Sequence, residues 1–394
     1  MLSYLQSFHD IVYGTVELPP YCYLIIDTPE FQRLRHIKQL GPASFVYPCA
    51  VQSRFDHSLG VCHSARELLN KLRLQENNNM THTDARCVEI ASLCRDLGHG
   101  PLSLTFQDFL ADLQKTWRPE EQSARILRYL IRKNKLKWKL ETFGIAEKEV
   151  DIICELIRGN FSEKNGEELI PPEKFYLRQI VNNSINGVDV FKWNDVTRDS
   201  NLLGITSAFQ VERVLSVVKA CDVDSKGGGK RRELCFRDKV SNELSHVFIT
   251  NRRLHSAAYH HEVTTAVSIM YRCAFRAAAK HIEFTSEHGK FDLFNCIGDE
   301  EAFCQATDDI IRDIMRSTST KKGMKKAKEI ISRIYSRQLY QCIKEIPQAK
   351  DRIPADVPQQ WEDVTLRLYT SVMDLDVKEA QDYFERYLLA KIEK

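Results

Sequence analysis

The sequence lacks any apolar run of the 18 to 20 residues that crossing a bilayer requires, and its start, MLSYLQSFHD, has no basic stretch followed by an apolar one. A membrane role is not expected, and the expected location is the nucleus or the cytoplasm. Charge of either sign is also missing in bulk: 56 Lys and Arg meet 54 Asp and Glu, a formal net charge of +2, which argues against a protein that works by coating nucleic acid. Twelve cysteines are present, but the closest pair, Cys87 and Cys94, is seven positions apart, so no CxxC zinc or redox motif exists. Reduced thiols acting as small core hydrophobes are expected. Internal repeats and strand signals are scarce.

Helical periodicity is what the chain does have. SARELLNKLRL from Ser64, VEIASLCRDL from Val88, QSARILRYLIRK from Gln122 and KEVDIICELIR from Lys148 place apolar residues at i, i+3, i+4 and i+7. Turn chemistry punctuates them at Gly41-Pro42, at Gly98 to Pro101 and at Gly227 to Gly229. Two basic stretches, Lys226 to Arg232 and Lys321 to Lys328, read as solvated loop or helix faces, with phosphate contact as the alternative or, for Lys226 to Arg232, a nuclear-import signal. A Pro-rich boundary near Pro347 to Pro358 separates the body, residues 1–345, from a C-terminal lobe, residues 346–394, with a helical pair expected at Gln360 to Met373 and Val377 to Ile392.

The chemistry concentrates in SRFDHSLG, Ser53 to Gly60, and LCRDLGHGPLS, Leu93 to Ser103. An apolar helix running into Asp-Leu-Gly-His-Gly-Pro sets a carboxylate at a helix end, and the glycine turn can return an imidazole toward it. Carboxylate plus imidazole is metal and phosphate chemistry.

With DTPEFQRLRHIKQLG from Asp27, YPCAVQSRFDHSLGV from Tyr47, NGVDVFKWNDVTRD from Asn186 and LHSAAYHHE from Leu254, this combination resembles the HD-domain phosphohydrolases, and within them the sterile-alpha-motif and HD-domain dNTP triphosphohydrolases of animals. The likeness runs from about Phe8 to Glu345 and resumes in the last thirty residues, without a sterile-alpha-motif segment. It implies a mostly α fold, an HD-domain helical core with a small helical C-terminal lobe, and the conversion of a dNTP to deoxynucleoside and triphosphate at a centre of iron, manganese, zinc or magnesium.

Carried over residue by residue, the resemblance puts His57 and Asp96 at metal-ligand positions, but Arg95 and Phe191 where two further ligands belong. A guanidinium has no lone pair to donate and a phenyl ring donates nothing. Arg95 is expected to pair with Asp96 or Asp56, with Phe191 filling the vacated volume. Asp195, one helical turn after Phe191, is expected to lie about 6 Å too far along the axis to help. His99 and Asp96 are retained catalytic positions, whereas Leu104 and Glu120 replace further histidines.

The resemblance also assigns the substrate pocket to Gln39, Leu40, Arg54, Lys192, Asp199 and Tyr259, with Asp195 and Asn251 as departures. An activator site for GTP or dGTP between subunits maps to Asp27, Gln32, Arg35, Arg213, Arg237, Lys239 and Arg337, with Gln6, Glu262 and Gln341 at expected lysines. Two functions are consistent with this pattern. One is a working dNTP triphosphohydrolase with a rebuilt metal site. The other is a weak or inactive relative that binds guanine nucleotide and assembles with itself or with an active paralogue. A single-stranded nucleic-acid binder using Lys226 to Arg232 is less favoured, because no aromatic platform is interleaved with the charges.

Overall fold

The computed structural model describes residues 6–75, 79–159, 169–224, 229–347 and 365–370. Helices dominate, and each periodic segment found in the sequence is one of them. Helix α1, Arg54–Arg73, begins with a capping box in which Ser53 and Asp56 exchange side-chain and backbone hydrogen bonds. Helix α2, His82–Cys94, opens on a second box, Thr81 with Asp84. The next helices are α3, Leu104–Asp112, α4, Pro119–Lys133, and α5, Glu147–Arg158, the last closed by Gly159 in the left-handed region. Their apolar stripes, among them Leu68, Leu72, Leu127, Leu130, Ile153 and Ile157, all lie in the main core.

Helix α6, Val190–Leu203, packs on α1, and α7, Ser241–Leu254, packs on α6. The closeness of α1 to α6 depends on Gly60, where a Cβ would collide with the Arg198 and Asn194 side chains. Those two side chains cannot retreat. Arg198 donates to Asp10 at 2.7 Å, and Asn194 accepts from Tyr13 at 3.0 Å. Helices α8, Glu262–Ala278, and α9, Lys322–Tyr335, pack together further along the chain.

Among the described residues, strands occur as four two-stranded antiparallel pairs: β1, Ser7–Asp10, with β2, Gly14–Glu17; β3, Lys219–Asp224, with β4, Lys230–Cys235; β5, Glu283–Ser286, with β6, Gly289–Asp292; and β7, Gln341–Pro347, with β8, Thr365–Thr370. The last pair corrects one expectation. Thr365–Thr370 is strand, although it falls inside the segment expected as the first C-terminal helix. TLRLYT alternates with period two and is rich in β-branched and aromatic residues, and β7 supplies the hydrogen-bonding edge. The segment Val377 to Ile392 lies outside the described residues.

The basic stretches divide. Lys230 to Arg232 belong to β4, so that part of the run is hairpin, while residues 225–228 lie outside the described set. Lys322, Lys325 and Lys326 are exposed on α9 with Met324 and Ala327 turned inward, the solvated helix face expected. All twelve cysteines are free thiols, and six of them, including Cys22, Cys62 and Cys94, are buried. No helix among the described residues is long and apolar enough to cross a membrane.

Candidate functional site

The capping box that starts α1 also fixes the site's first members. It places Arg54 in the first helical turn and His57 one turn deep, where the imidazole is wholly buried. Helix α2 ends at Cys94, and the turn beyond it carries Arg95, Asp96, Gly98 and His99. Ser123 of α4 clasps this turn, donating to the Arg95 carbonyl at 2.6 Å and accepting from the Gly98 N–H at 2.7 Å. Gly98 is required for that approach, because a Cβ there would run into the Pro119 carbonyl.

Asp96, 1% exposed, is the hub. One carboxylate oxygen accepts from Arg54 Nη1 at 3.0 Å and the other lies 2.6 Å from His57 Nδ1. Arg54 is itself held by Ser103, whose hydroxyl accepts from Nε at 2.9 Å. The opposite ring nitrogen, His57 Nε2, lies 2.9 Å from Asp195 Oδ1, an ion-pair contact outside hydrogen-bond geometry. This corrects the expectation that Asp195 is out of reach. Helical side chains lean toward the N-terminus of their helix, so a residue one turn later reaches back over the turn before it.

The electrostatics follow from this chain of contacts. Burial opposes ionisation of Asp96, but the Arg54 guanidinium and then His57 outweigh it and hold the carboxyl well below the usual range. Burial likewise opposes the His57 imidazolium, yet Asp96 and Asp195 together raise its pKa. Asp195 is lowered against its own burial, chiefly by His57. His99 goes the other way: burial, then Arg54, push it down to about 3, so it is neutral at neutral pH. A neutral His99 has no acidic proton to give a leaving group.

Arg95 does not pair with Asp96 or Asp56. Arg54 holds Asp96, and Asp56 is spent on the Ser53 cap. The Arg95 guanidinium instead lies over the Phe191 ring, 3.8 Å from its centroid, and Phe191 meets His57 edge-on at 4.6 Å. Phe191 does fill space beside His57, as expected.

A metal fits poorly here. Both nitrogens of His57 and both oxygens of Asp96 face protein partners, and a cation at this point would meet the guanidinium of Arg54. Among the described residues no group of three or more His, Cys, Asp or Glu side chains is placed to hold a metal ion.

The substrate-pocket residues do converge. Gln39 donates to Asp195 at 3.3 Å, and Tyr259 donates to Asp199, which also accepts from Gln52 at 2.7 Å. Leu40 and Tyr259 pack with Tyr47 on a small apolar cluster that contains Leu203 and Leu254. Lys192 Nζ lies 3.4 Å from the Asn251 carbonyl oxygen. Three participants were not singled out from sequence. Ser103 and Gln52 carry no chemical signature of their own. His255 lay inside a quoted motif, and its ring is 4.8 Å from that of Tyr259. Burial, then His260 and Lys192, lower its pKa to about 4.

The activator residues fall into separate places. Asp27, Gln32 and Arg35 line one pocket of about 250 Å³ with Gln6, Ser7 and Phe8. Arg35 stacks over Phe55 at 3.5 Å and donates to Gln32 at 2.7 Å. Arg337, Glu262 and Gln341 line another of about 400 Å³. Arg213 pairs with Glu243 at 2.5 Å, while Arg237 and Lys239 are exposed.

Two measurable consequences arise. Removing one partner of a buried ion pair leaves the other uncompensated, so Arg54→Ala is expected to cost about 3–5 kcal/mol of stability. Arg95→Ala should stay near the ~1 kcal/mol typical of a point substitution. Urea midpoints of the two variants will check the contrast. The second concerns Asp199, whose carboxyl is pushed up to about 7 by burial first and then by Asp195. An unfolded aspartate ionises near 3.9, so the native state holds an extra proton between those values. Its contribution to stability is complete below about pH 4 and is lost as pH rises through about 7. Asp199→Asn should flatten that decline when midpoints are measured from pH 4 to 8.

An HD-domain family model matches residues 54–193, the span from Arg54 past Phe191. The chain is 37% identical over 364 residues to the chicken protein named deoxynucleoside triphosphate triphosphohydrolase SAMHD1, an alignment covering 89% of this chain and 58% of that one. It is 34% identical over 429 residues to the human protein of the same name, covering 98% and 67%. A Dictyostelium discoideum homologue so named is 30% identical over 378 residues, covering 94% and 66%. The chain thus spans between 58% and 67% of the length of these relatives. Ordered motifs, helical core and convergent pocket agree with those alignments: the chain belongs to the HD-domain family of SAMHD1-like deoxynucleoside triphosphate triphosphohydrolases.

Proposed function

We propose that this chain binds nucleotides in the family's manner but hydrolyses them weakly or not at all, and acts as a guanine-nucleotide-responsive regulator that assembles with itself or with an active paralogue. One observation carries the reading. His57 and Asp96, the two retained ligand positions, already face Asp195 and Arg54, so that both imidazole nitrogens lie against carboxylates rather than open to a metal. Opening that network to admit a cation would break two buried ion pairs.

The test is metal analysis of the purified protein together with a dNTP hydrolysis assay. Far less than one iron, manganese or zinc per chain is expected, with triphosphate release near background when metal is added. Stoichiometric metal that disappears in His57→Ala and Asp96→Ala, accompanied by turnover, would establish a rebuilt catalytic centre and reject this reading.

The regulatory half is supported by the pocket around Asp27, Gln32 and Arg35. An aspartate is suited to the N1–H and N2–H₂ edge of guanine. A ligand bound across a subunit contact stabilises the assembly by mass action. Gln6, Glu262 and Gln341 supply no positive charge for a triphosphate, so binding should be modest and weakened by salt. Sedimentation with GTP is expected to show a larger assembly, reduced in Asp27→Ala; the same mass distribution with and without millimolar GTP counts against it.

A further inference from the structure

The carboxylates around Arg95 are each engaged elsewhere. Asp96 is shared between Arg54 and His57, and Asp56 closes the cap of α1. Asp189 caps α6, accepting from the Lys192 N–H at 2.8 Å, and also accepts from the Asn183 N–H at 3.0 Å. Arg95 is left with a guanidinium whose Nε and Nη1 are shielded from water and donate to nothing in the protein. The residue as a whole is partly exposed, so a ligand can reach it.

Its geometry is fixed although these two nitrogens find no acceptor. Stacking on Phe191 holds the guanidinium plane, and the Ser123 clasp holds its backbone. Phe191 is adjacent in sequence to Lys192, and both open the helix that bears Asp195 and Asp199. The site therefore gathers Arg54, Arg95, Lys192 and His57 with Asp96, Asp189, Asp195 and Asp199, and within it Arg54, His57, Asp96 and Asp195 contact one another. Arg95 acts on Asp189 electrostatically without a hydrogen bond, so its Nε and Nη1 donors are left over. Buried donors without acceptors are costly in the free protein and are recovered when an anion arrives.

We infer that Arg95 is a phosphate-binding residue, presented on the Phe191 ring so that its guanidinium neutralises the phosphate chain of a nucleotide in the pocket without a metal. The inference rests on the nucleotide-binding reading above and assigns the residue that would make such binding independent of divalent cations. Arginine suits the task, since its charge is permanent and its planar donors match phosphate oxygens. The two departures at ligand positions then act as a unit: the phenyl ring is the platform and the guanidinium is the cation.

Calorimetric titration of the full chain in EDTA with dCTP and with 2′-deoxycytidine separates the possibilities. A pyrimidine nucleotide is chosen because the Asp27 pocket suits a guanine edge. Wild type is expected to bind dCTP at least tenfold more tightly than the nucleoside. Arg95→Leu should lose most of that preference with nucleoside affinity unchanged, and Arg95→Lys should keep part of it. If Arg95→Leu does not fold, Arg95→Gln, neutral but of similar length, reads the same difference. Should the neutral variants keep the full preference, or should wild type show it only after a divalent cation is added, Arg95 is not the phosphate ligand and the inference fails while nucleotide binding stands. If wild type binds neither compound, with or without cation, the nucleotide-binding reading falls as well.

Discussion

The imidazole of His57, gripped by Asp96 on one nitrogen and Asp195 on the other, is the interaction on which the rest of the site depends. It joins two buried ionisable groups and the partly exposed Asp195 into a network completed by Arg54. Charges removed from water are tolerated only when paired with good geometry, so each member constrains the others. The same network sets the directions of the surrounding titrations. Asp96 and Asp195 stay ionised against their burial, and Asp199, next in line and without a cation of its own, is pushed toward protonation.

The scaffold brings these groups together from three helices. Helix α1 supplies Arg54 and His57 through its capped first turn, the turn after α2 supplies Asp96, and α6 supplies Asp195. Gly60 lets α1 and α6 approach, and Gly98 lets the catalytic-looking turn press against α4. The N-terminal hairpin is tied into the same region. Asp10, which ends β1, and Tyr13, in the turn after it, hold Arg198 and Asn194 of α6, and Asn194 donates to the His57 carbonyl at 3.3 Å. Phe8, on that hairpin and in the Asp27 pocket, meets Phe55 edge-on, next to Arg54. The pocket around Asp27 and the surroundings of His57 are thus linked through packed aromatic and hydrogen-bonded groups.

The grouping of these residues was legible in the sequence because motif residues stay together when helices keep their order. Gln39, Leu40, Lys192, Asp199 and Tyr259 lie near one another, and Asp27, Gln32 and Arg35 share one pocket. The partners were less legible. The expected pairing of Arg95 with Asp96 or Asp56 fails because Arg54, 42 positions from Asp96, takes that carboxylate and the Ser53 cap takes Asp56. Asp195 was excluded by axial distance alone, which ignores the backward lean of helical side chains. Thr365–Thr370 was read as helix until β7 gave it an edge to pair with.

By itself the sequence determined the helical class and the family, since periodicity and ordered motifs are local properties. What surrounds Arg95 and Phe191 was decided only by the tertiary structure. Whether a guanidinium meets a carboxylate or a phenyl ring depends on which helices cross at angstrom separation, and the energy of a charge depends on every neighbour within a few ångströms. That is why His57 and Asp96, which read in one dimension as the remains of a metal centre beside Arg95 and Phe191, form in three an ionic network with Arg54 and Asp195.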